Sequence, residues 1–124
     1  MAVPKILVCD DSILARKQLS DVVKEYLKDV DICGAANGEE ALDVFKKEKP
    51  ELTFIDLVMP KMDGIEAIKA IKKVDSEANI IVVSSIGTKN ELKRAIEAGT
   101  TDFIQKPFSV EQIRLLLKSY FKED

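Results

Sequence analysis

Histidine is absent from the 124 residues, and so is tryptophan. The missing imidazole excludes Ser-His-Asp triads, histidine metal sites and histidine general bases. Only two cysteines occur, Cys9 and Cys33, each inside an apolar run. They read as small buried hydrophobes, not as a disulfide or a metal pair. No apolar run approaches the ~18 residues of a membrane span. The start, Met1-Ala2-Val3-Pro4-Lys5, has neither the basic opening nor the cleavage pattern of a signal peptide. A cytoplasmic protein that does not engage a membrane is expected. An excess of basic charge is missing too: the net charge is −3, with both signs interspersed. That leaves no electrostatic footprint for nucleic acid. Length and a composition 46% hydrophobic and 33% charged suit a single domain over 1–124 with one core.

What is present is a series of short apolar runs that end in polar residues. Leu52-Thr53-Phe54-Ile55 runs straight into Asp56, and Met59-Pro60 closes the segment. A carboxylate at the C-terminal end of a buried strand sits where open α/β sheets keep their ligands. Asp56 is therefore the residue this fold presents, although Asp also opens turns without further purpose.

Lys5-Ile6-Leu7-Val8-Cys9 is a first strand covered on both faces, ending in Asp10-Asp11-Ser12. A helix follows to about Lys28, with Ala15, Leu19, Val22, Val23 and Tyr26 on one face. Asp31 to Ala35 is a weaker strand. Asn37 and Glu40 form a capping box for a helix with Ala41, Leu42 and Phe45 inward, ended by Pro50. After the Asp56 strand, Asp63-Gly64 starts a helix whose stripe is Ile65, Ile68, Ile71 and Val74. Ile80-Ile81-Val82-Val83-Ser84, almost wholly β-branched, is a central strand. Thr88 and Glu91 cap a helix carrying Leu92, Ala95 and Ile96, closed by Gly99. Asp102-Phe103-Ile104-Gln105 is the fifth strand and ends in Lys106-Pro107-Phe108. Ser109 and Gln112 cap the last helix, with Val110, Ile113, Leu117 and Tyr120 inward.

Five strands alternating with five helices predict a doubly wound (βα)5 α/β fold, flavodoxin-like, with a parallel sheet in the order 2-1-3-4-5. That order makes the ends of strands one and three neighbours. Asp10 and Asp11 then meet Asp56, while Ser84 and Lys106 line the same rim. Two carboxylates ~5 Å apart repel by roughly 3 kcal/mol at an effective dielectric of ~20, so the cluster calls for a cation. Oxygen-only donors select a hard divalent ion, Mg²⁺ first. Asp11 and Asp56 are the direct ligands, Asp10 acts through water, and the Val58 backbone carbonyl is a further candidate. A carboxylate so placed can attack phosphorus and form an aspartyl phosphate. Lys106 would pair with one phosphoryl oxygen and Ser84 with another. Pro107 makes Lys106-Pro107 a candidate cis bond that aims the lysine. Each piece has a plainer reading: a helix cap for Asp10-Asp11-Ser12, a core hydroxyl for Ser84, a solvated amine for Lys106.

At these residues the chain resembles the response-regulator receiver family of two-component signalling. The match is Asp10-Asp11, then Asp56 with Met59-Pro60 and Asp63-Gly64, then Ser84, then Lys106-Pro107-Phe108, and it covers essentially the whole chain. Each piece is weak alone; together, in order and each at a strand's end, they are specific. The resemblance implies a CheY-like module in which Asp56 accepts phosphate from the phosphohistidine of a sensor histidine kinase or phosphotransfer domain. It also implies that Ser84 moves toward the phosphate, with small Ser85 leaving room, and that Phe103 follows inward where many members carry Tyr. The face of the fourth and fifth strands and helices, with Lys89, Lys93, Phe103 and Leu115, would bind an effector. Leu115 can equally be a lone exposed leucine. Ile13 and Leu14 flank the acidic pocket as a kinase-docking site or as local packing. Asp10-Asp11-Ser12-Ile13-Leu14-Ala15-Arg16 and Val83-Ser84-Ser85-Ile86-Gly87 look most like chemotaxis regulators of the flagellar switch, acting as monomers. A phosphorelay intermediate and the receiver of a longer regulator are alternatives. Val58 and Ile86 stand where many members carry groups that orient an attacking water, so slow loss of phosphate is expected.

Two other classes compete. An Mg²⁺-dependent aspartyl-phosphate phosphatase of haloacid-dehalogenase type places a second Asp two residues after the nucleophile, where this chain has Val58. A flavodoxin needs a hydroxyl- and glycine-rich phosphate loop after the first strand, where Asp10-Asp11 would repel the flavin phosphate.

Overall fold

The computed structural model describes residues 3–59, 61–85 and 88–121. Pro60, Ile86 and Gly87, named above, lie outside the described residues. The elements in order are β1 (Lys5–Cys9), α1 (Ile13–Tyr26), β2 (Asp31–Ala35), α2 (Gly38–Glu48), β3 (Leu52–Ile55), α3 (Gly64–Val74), β4 (Ile80–Ser84), α4 (Lys89–Ala98), β5 (Asp102–Gln105) and α5 (Val110–Tyr120). All strand pairs are parallel and the sheet order is β2-β1-β3-β4-β5, as expected. α1 ends two residues earlier than its apolar spacing predicts, because Leu27 leaves helical geometry as the C-cap.

The alternation of strand side chains builds two cores. Leu7, Cys9, Ile55, Ile80 and Val82 face α2, α3 and α4, where Phe45, Ile68, Ile71 and Ala95 meet them. Ile6, Val8, Phe54, Ile81 and Val83 face α1 and α5, where Leu19, Val23, Ile113 and Leu117 meet them. β3 and β4 are buried on both faces, which explains their unbroken apolar sequence. Thr53 is the polar exception within β3. It is fully buried, and its Oγ1 has no hydrogen-bond partner.

Four residues expected on inner stripes are exposed instead: Val74, Leu92, Ile96 and Val110. Val74 and Val110 sit at helix ends, beyond the sheet's reach or before the helix meets it. Leu92 and Ile96 differ. α4 turns Ala95 and Ala98 to the core and leaves the larger residues outside. Cys33, expected buried, is half-buried on edge strand β2.

Capping follows the sequence, with two changes of detail. Ser109 and Gln112 form the full reciprocal box. Asn37 accepts from Glu40 N–H, but the Glu40 carboxylate accepts from Ala36 N–H rather than from Asn37. Thr88 accepts from Glu91 N–H, and the Glu91 carboxylate lies 3.5 Å from Arg94 Nη1.

Candidate functional site

The sheet delivers the site residues one position past its strand ends. The inter-strand ladder continues there: Asp10 N–H donates to Ala35 O (3.0 Å), Asp56 N–H to Cys9 O (3.0 Å) and Lys106 N–H to Ser84 O (2.8 Å). Three of the chemically active residues thus have their backbones pinned by sheet hydrogen bonds, which fixes where their side chains start. The Lys106–Pro107 peptide is cis, as the sequence suggested.

One carboxyl oxygen each from Asp10, Asp11 and Asp56 lies within 4.8 Å of the others. Asp10 and Asp56 are nearly buried, at 6% and 8% exposure, and Asp11 is exposed. Both carboxyl oxygens of Asp10 and of Asp56 are engaged. Asp56 Oδ1 accepts from Ser84 Oγ (2.9 Å) and Val58 N–H (3.1 Å). Asp56 Oδ2 accepts from Lys106 Nζ (3.0 Å), which also donates to Asp10 Oδ2 (2.6 Å). Asp10 Oδ1 accepts from Ser12 N–H (2.9 Å), and Ser12 caps α1 through Ala15 N–H (3.1 Å). The cap read from the sequence and the acidic cluster therefore share one turn. Burial alone would lower the Lys106 pKa; hydrogen bonds to Asp10 and Asp56, and then their charges, outweigh it and leave the pKa raised. The lysine is the ammonium that pairs with both buried carboxylates.

The donors suit a hard divalent ion: three carboxylates converge, and neither imidazole nor thiolate faces them. Asp10, Asp11 and Asp56 would hold it. Val58 is exposed at 54%, its N–H turned to Asp56.

The β3–α3 loop is fixed from both sides. Gly64 N–H donates to Leu57 O (2.9 Å), and Gly38 N–H at the start of α2 donates to Met62 O (2.9 Å). A Cβ on Gly64 would stand 2.3 Å from Asp56 O, so the backbone beside the site admits only glycine. Beneath the loop, Cys9 Sγ is 3.3 Å from Met59 Sδ. Burial, then the charges of Asp10 and Glu40, push the Cys9 thiol up to about 12, which keeps it protonated and inert.

The remaining expected residues are spread around this centre. Ser85 is exposed beside buried Ser84. Phe103 is half-buried and packs against the core under α4. Ile13 and Leu14 are exposed at the start of α1, at the rim of the acidic turn. Lys89, Lys93 and Leu115 are exposed on α4 and α5. Sequence reasoning passed over Arg16, whose Nη1 donates to the Asp10 carbonyl at 2.5 Å. Its place in the first turns of α1, six residues after Asp10, was the available signal. It also placed Leu92 and Ile96 inward, although both are exposed.

Residues 6–118 match the family described as Response regulator receiver domain, and the chain belongs to that family. Within it, the chain is 38% identical over 109 residues to Chemotaxis protein CheY of Bacillus subtilis, covering 88% of this chain and 90% of that protein. It is 34% identical over 116 residues to Sporulation initiation phosphotransferase F of the same organism, covering 94% and 92%. Among solved structures, the CheX-CheY-BeF3-Mg+2 complex from Borrelia burgdorferi superposes with a TM-score of 0.88 at 30% identity, covering 97% of this chain and 90% of that one. The fold is thus that of the CheY-like receivers, and the chain is a signalling module of the response-regulator type. Among the described residues, no helix is long and apolar enough to cross a membrane.

Proposed function

We propose that this receiver accepts a phosphoryl group on Asp56 from a phosphohistidine donor, a sensor histidine kinase or a histidine phosphotransfer domain. The observation that carries this is the engagement of one buried carboxylate by Ser84 and Lys106 inside a three-carboxylate cluster. An Asp56 oxygen attacks phosphorus in line, the P–N bond to the donor breaks, and the acyl phosphate forms on Asp56. Lys106 is placed to take a phosphoryl oxygen, and Ser84 another, since both already donate to the attacking carboxylate. Mg²⁺, held by Asp10, Asp11 and Asp56, would neutralise the charge between attacking and leaving oxygens.

Once Ser84 and Lys106 turn to the phosphoryl group, their bonds to Asp56 change. β4 and β5 carry that change toward Phe103 and the outer face of α4 and α5. That face offers Leu92, Ile96 and Leu115 as apolar contacts, with Lys89 and Lys93 beside them. An effector protein reading this face gives the output. Likeness to CheY proteins favours chemotaxis and the flagellar switch as the setting. Likeness to Sporulation initiation phosphotransferase F supports the second reading, a phosphorelay intermediate that passes the phosphoryl group on. The apolar side chain of Val58 argues against the phosphatase alternative, which needs an acid there.

The test is incubation with acetyl phosphate and Mg²⁺ followed by intact mass. One added phosphoryl group, lost with EDTA or in Asp56→Asn, supports the reading. No adduct in the wild type refutes it.

A further inference from the structure

The turn that carries Asp10 and Asp11 is held at three of its polar atoms by bonds already named: Asp10 N–H by β2, Asp10 Oδ1 by Ser12 and the Asp10 carbonyl by Arg16. The first comes from the neighbouring strand and the second lies within the turn itself. Arg16 reaches back from α1, and its own N–H is tied into the helix through Ser12 O (3.0 Å). Its stem passes beside Gly34 of β2 on the way to the carbonyl. A Cβ built on Gly34 would stand 3.7 Å from Arg16 Cδ, 3.8 Å from Nε and 3.9 Å from Val8 O. A Cβ there would only touch the stem, so crowding of the guanidinium takes a side chain larger than alanine. Gly34 is an exposed residue in the middle of an edge strand. Glycine weakens such a strand through backbone entropy and missing side-chain contacts.

We propose that Arg16 is a positioning residue for the acidic cation site: its guanidinium, laid across Gly34, fixes the Asp10 carbonyl and so the peptide plane from which Asp11 departs. The assignment deepens the receiver reading and rests on it. Asp11 is the exposed member of the cluster. Its carboxylate therefore depends on the backbone before it for its direction. Charge alone predicts the opposite effect of removing Arg16. A guanidinium near the cluster repels an incoming dication, so its loss would tighten binding if it acted only as a charge. A positioning role makes binding weaker.

The experiment measures Mg²⁺ affinity by calorimetry, melting temperature, and acetyl-phosphate labelling for wild type, Arg16→Met, Arg16→Lys and Gly34→Val. Arg16→Met keeps the stem over Gly34 and removes the donor; about tenfold weaker Mg²⁺ binding is expected, in line with losses seen when groups that orient metal ligands are removed. Arg16→Lys, with a donor of similar reach, recovers part of the loss. Gly34→Val leaves Arg16 in place but obstructs it. It should weaken Mg²⁺ binding while leaving the melting temperature equal or higher, since a β-branched residue favours the strand. A purely structural role would move stability and affinity together. Should Arg16→Met fail to fold, Gly34→Val and Arg16→Lys decide the matter. Wild-type affinity in Arg16→Met or Gly34→Val, or tighter binding, overturns the assignment while the receiver reading stands. A wild type that takes up neither Mg²⁺ nor phosphoryl group overturns both.

Discussion

Lys106 is the internal cation of the acidic cluster, so its replacement by methionine should have two effects of opposite sign. The ammonium donates to Asp10 Oδ2 at 2.6 Å and to Asp56 Oδ2 at 3.0 Å. A divalent ion placed by Asp10, Asp11 and Asp56 competes for those same oxygens. A hydrogen bond to a charged group contributes about 1.5–3 kcal/mol net. If ion binding gives up one of the two, wild-type affinity is weakened by that amount, or roughly 10- to 150-fold at about 1.4 kcal/mol per decade. The lysine side chain is 26% exposed, which leaves it room to swing aside and screens part of the interaction. The lower end, about tenfold tighter Mg²⁺ binding in Lys106→Met, is therefore expected. Methionine keeps the unbranched stem and removes only the charge. The same variant should accept phosphate from acetyl phosphate more slowly, because no ammonium is left to meet the phosphoryl oxygens. Magnesium titration calorimetry and a mass-resolved labelling time course read the two effects separately. Unchanged or weaker Mg²⁺ binding in Lys106→Met would refute the competition. Undiminished labelling would refute the role in transfer.

Further outcomes follow from other residues. Thr53→Val should raise stability by about 1 kcal/mol in urea unfolding, since a buried hydroxyl with no partner costs about that much and valine has its shape. Lys49 caps α2 at φ 50°, and Lys49→Gly should stabilise by about 0.5–1 kcal/mol, read as a higher denaturation midpoint. The Cys9, Cys33 and Tyr120 pKa values are all raised in the folded chain, chiefly by burial. The unfolded chain then loses these protons first, so stability measured with EDTA should fall as pH rises above about 9; a rise between pH 9 and 10.5 would contradict the assigned directions. Val58 is exposed and apolar beside Asp56, so Val58→Asn should shorten the phosphoryl lifetime on the order of tenfold by orienting water, measured by loss of the adduct mass.

Most of the fold was legible because the relevant signals are local and redundant. β3 and β4 are almost wholly apolar, all five helix starts carry a capping side chain at the expected position, and crossover length leaves parallel pairing as the outcome. The acidic site was legible for the same reason: parallel strands put all their C-terminal ends on one rim. What was not legible depends on the rotation of one helix or on a long side chain's path. Periodicity in α4 offers two faces, Leu92–Ile96 and Ala95–Ala98, and hydrophobicity favours the wrong one. The small pair faces inward, where Gly99 closes the helix against the Lys72 side chain. The Arg16 bond to a backbone carbonyl leaves no trace in spacing, because any side chain of sufficient reach could make it and Gly34 looks like an ordinary strand defect. Glu91 and Glu40 satisfy the capping pattern, yet each carboxylate takes another partner, Arg94 and the Ala36 N–H.

The bond between Lys106 and Asp10 joins residues 96 positions apart, and the bond between Lys106 and Asp56 spans 50. Contacts of such separation carry the loop-closure cost of the chain between them. The chemistry of the rim therefore depends on β1, β3, β4 and β5 all being docked at once. A chain caught partway, with β5 still loose, holds its aspartates but lacks the lysine and the strand that places it. Under the proposed chemistry such a chain would take up phosphate only slowly. With Asp56 as the phosphoryl acceptor proposed above, rapid labelling would therefore report copies folded across the sheet from its second strand to its far edge.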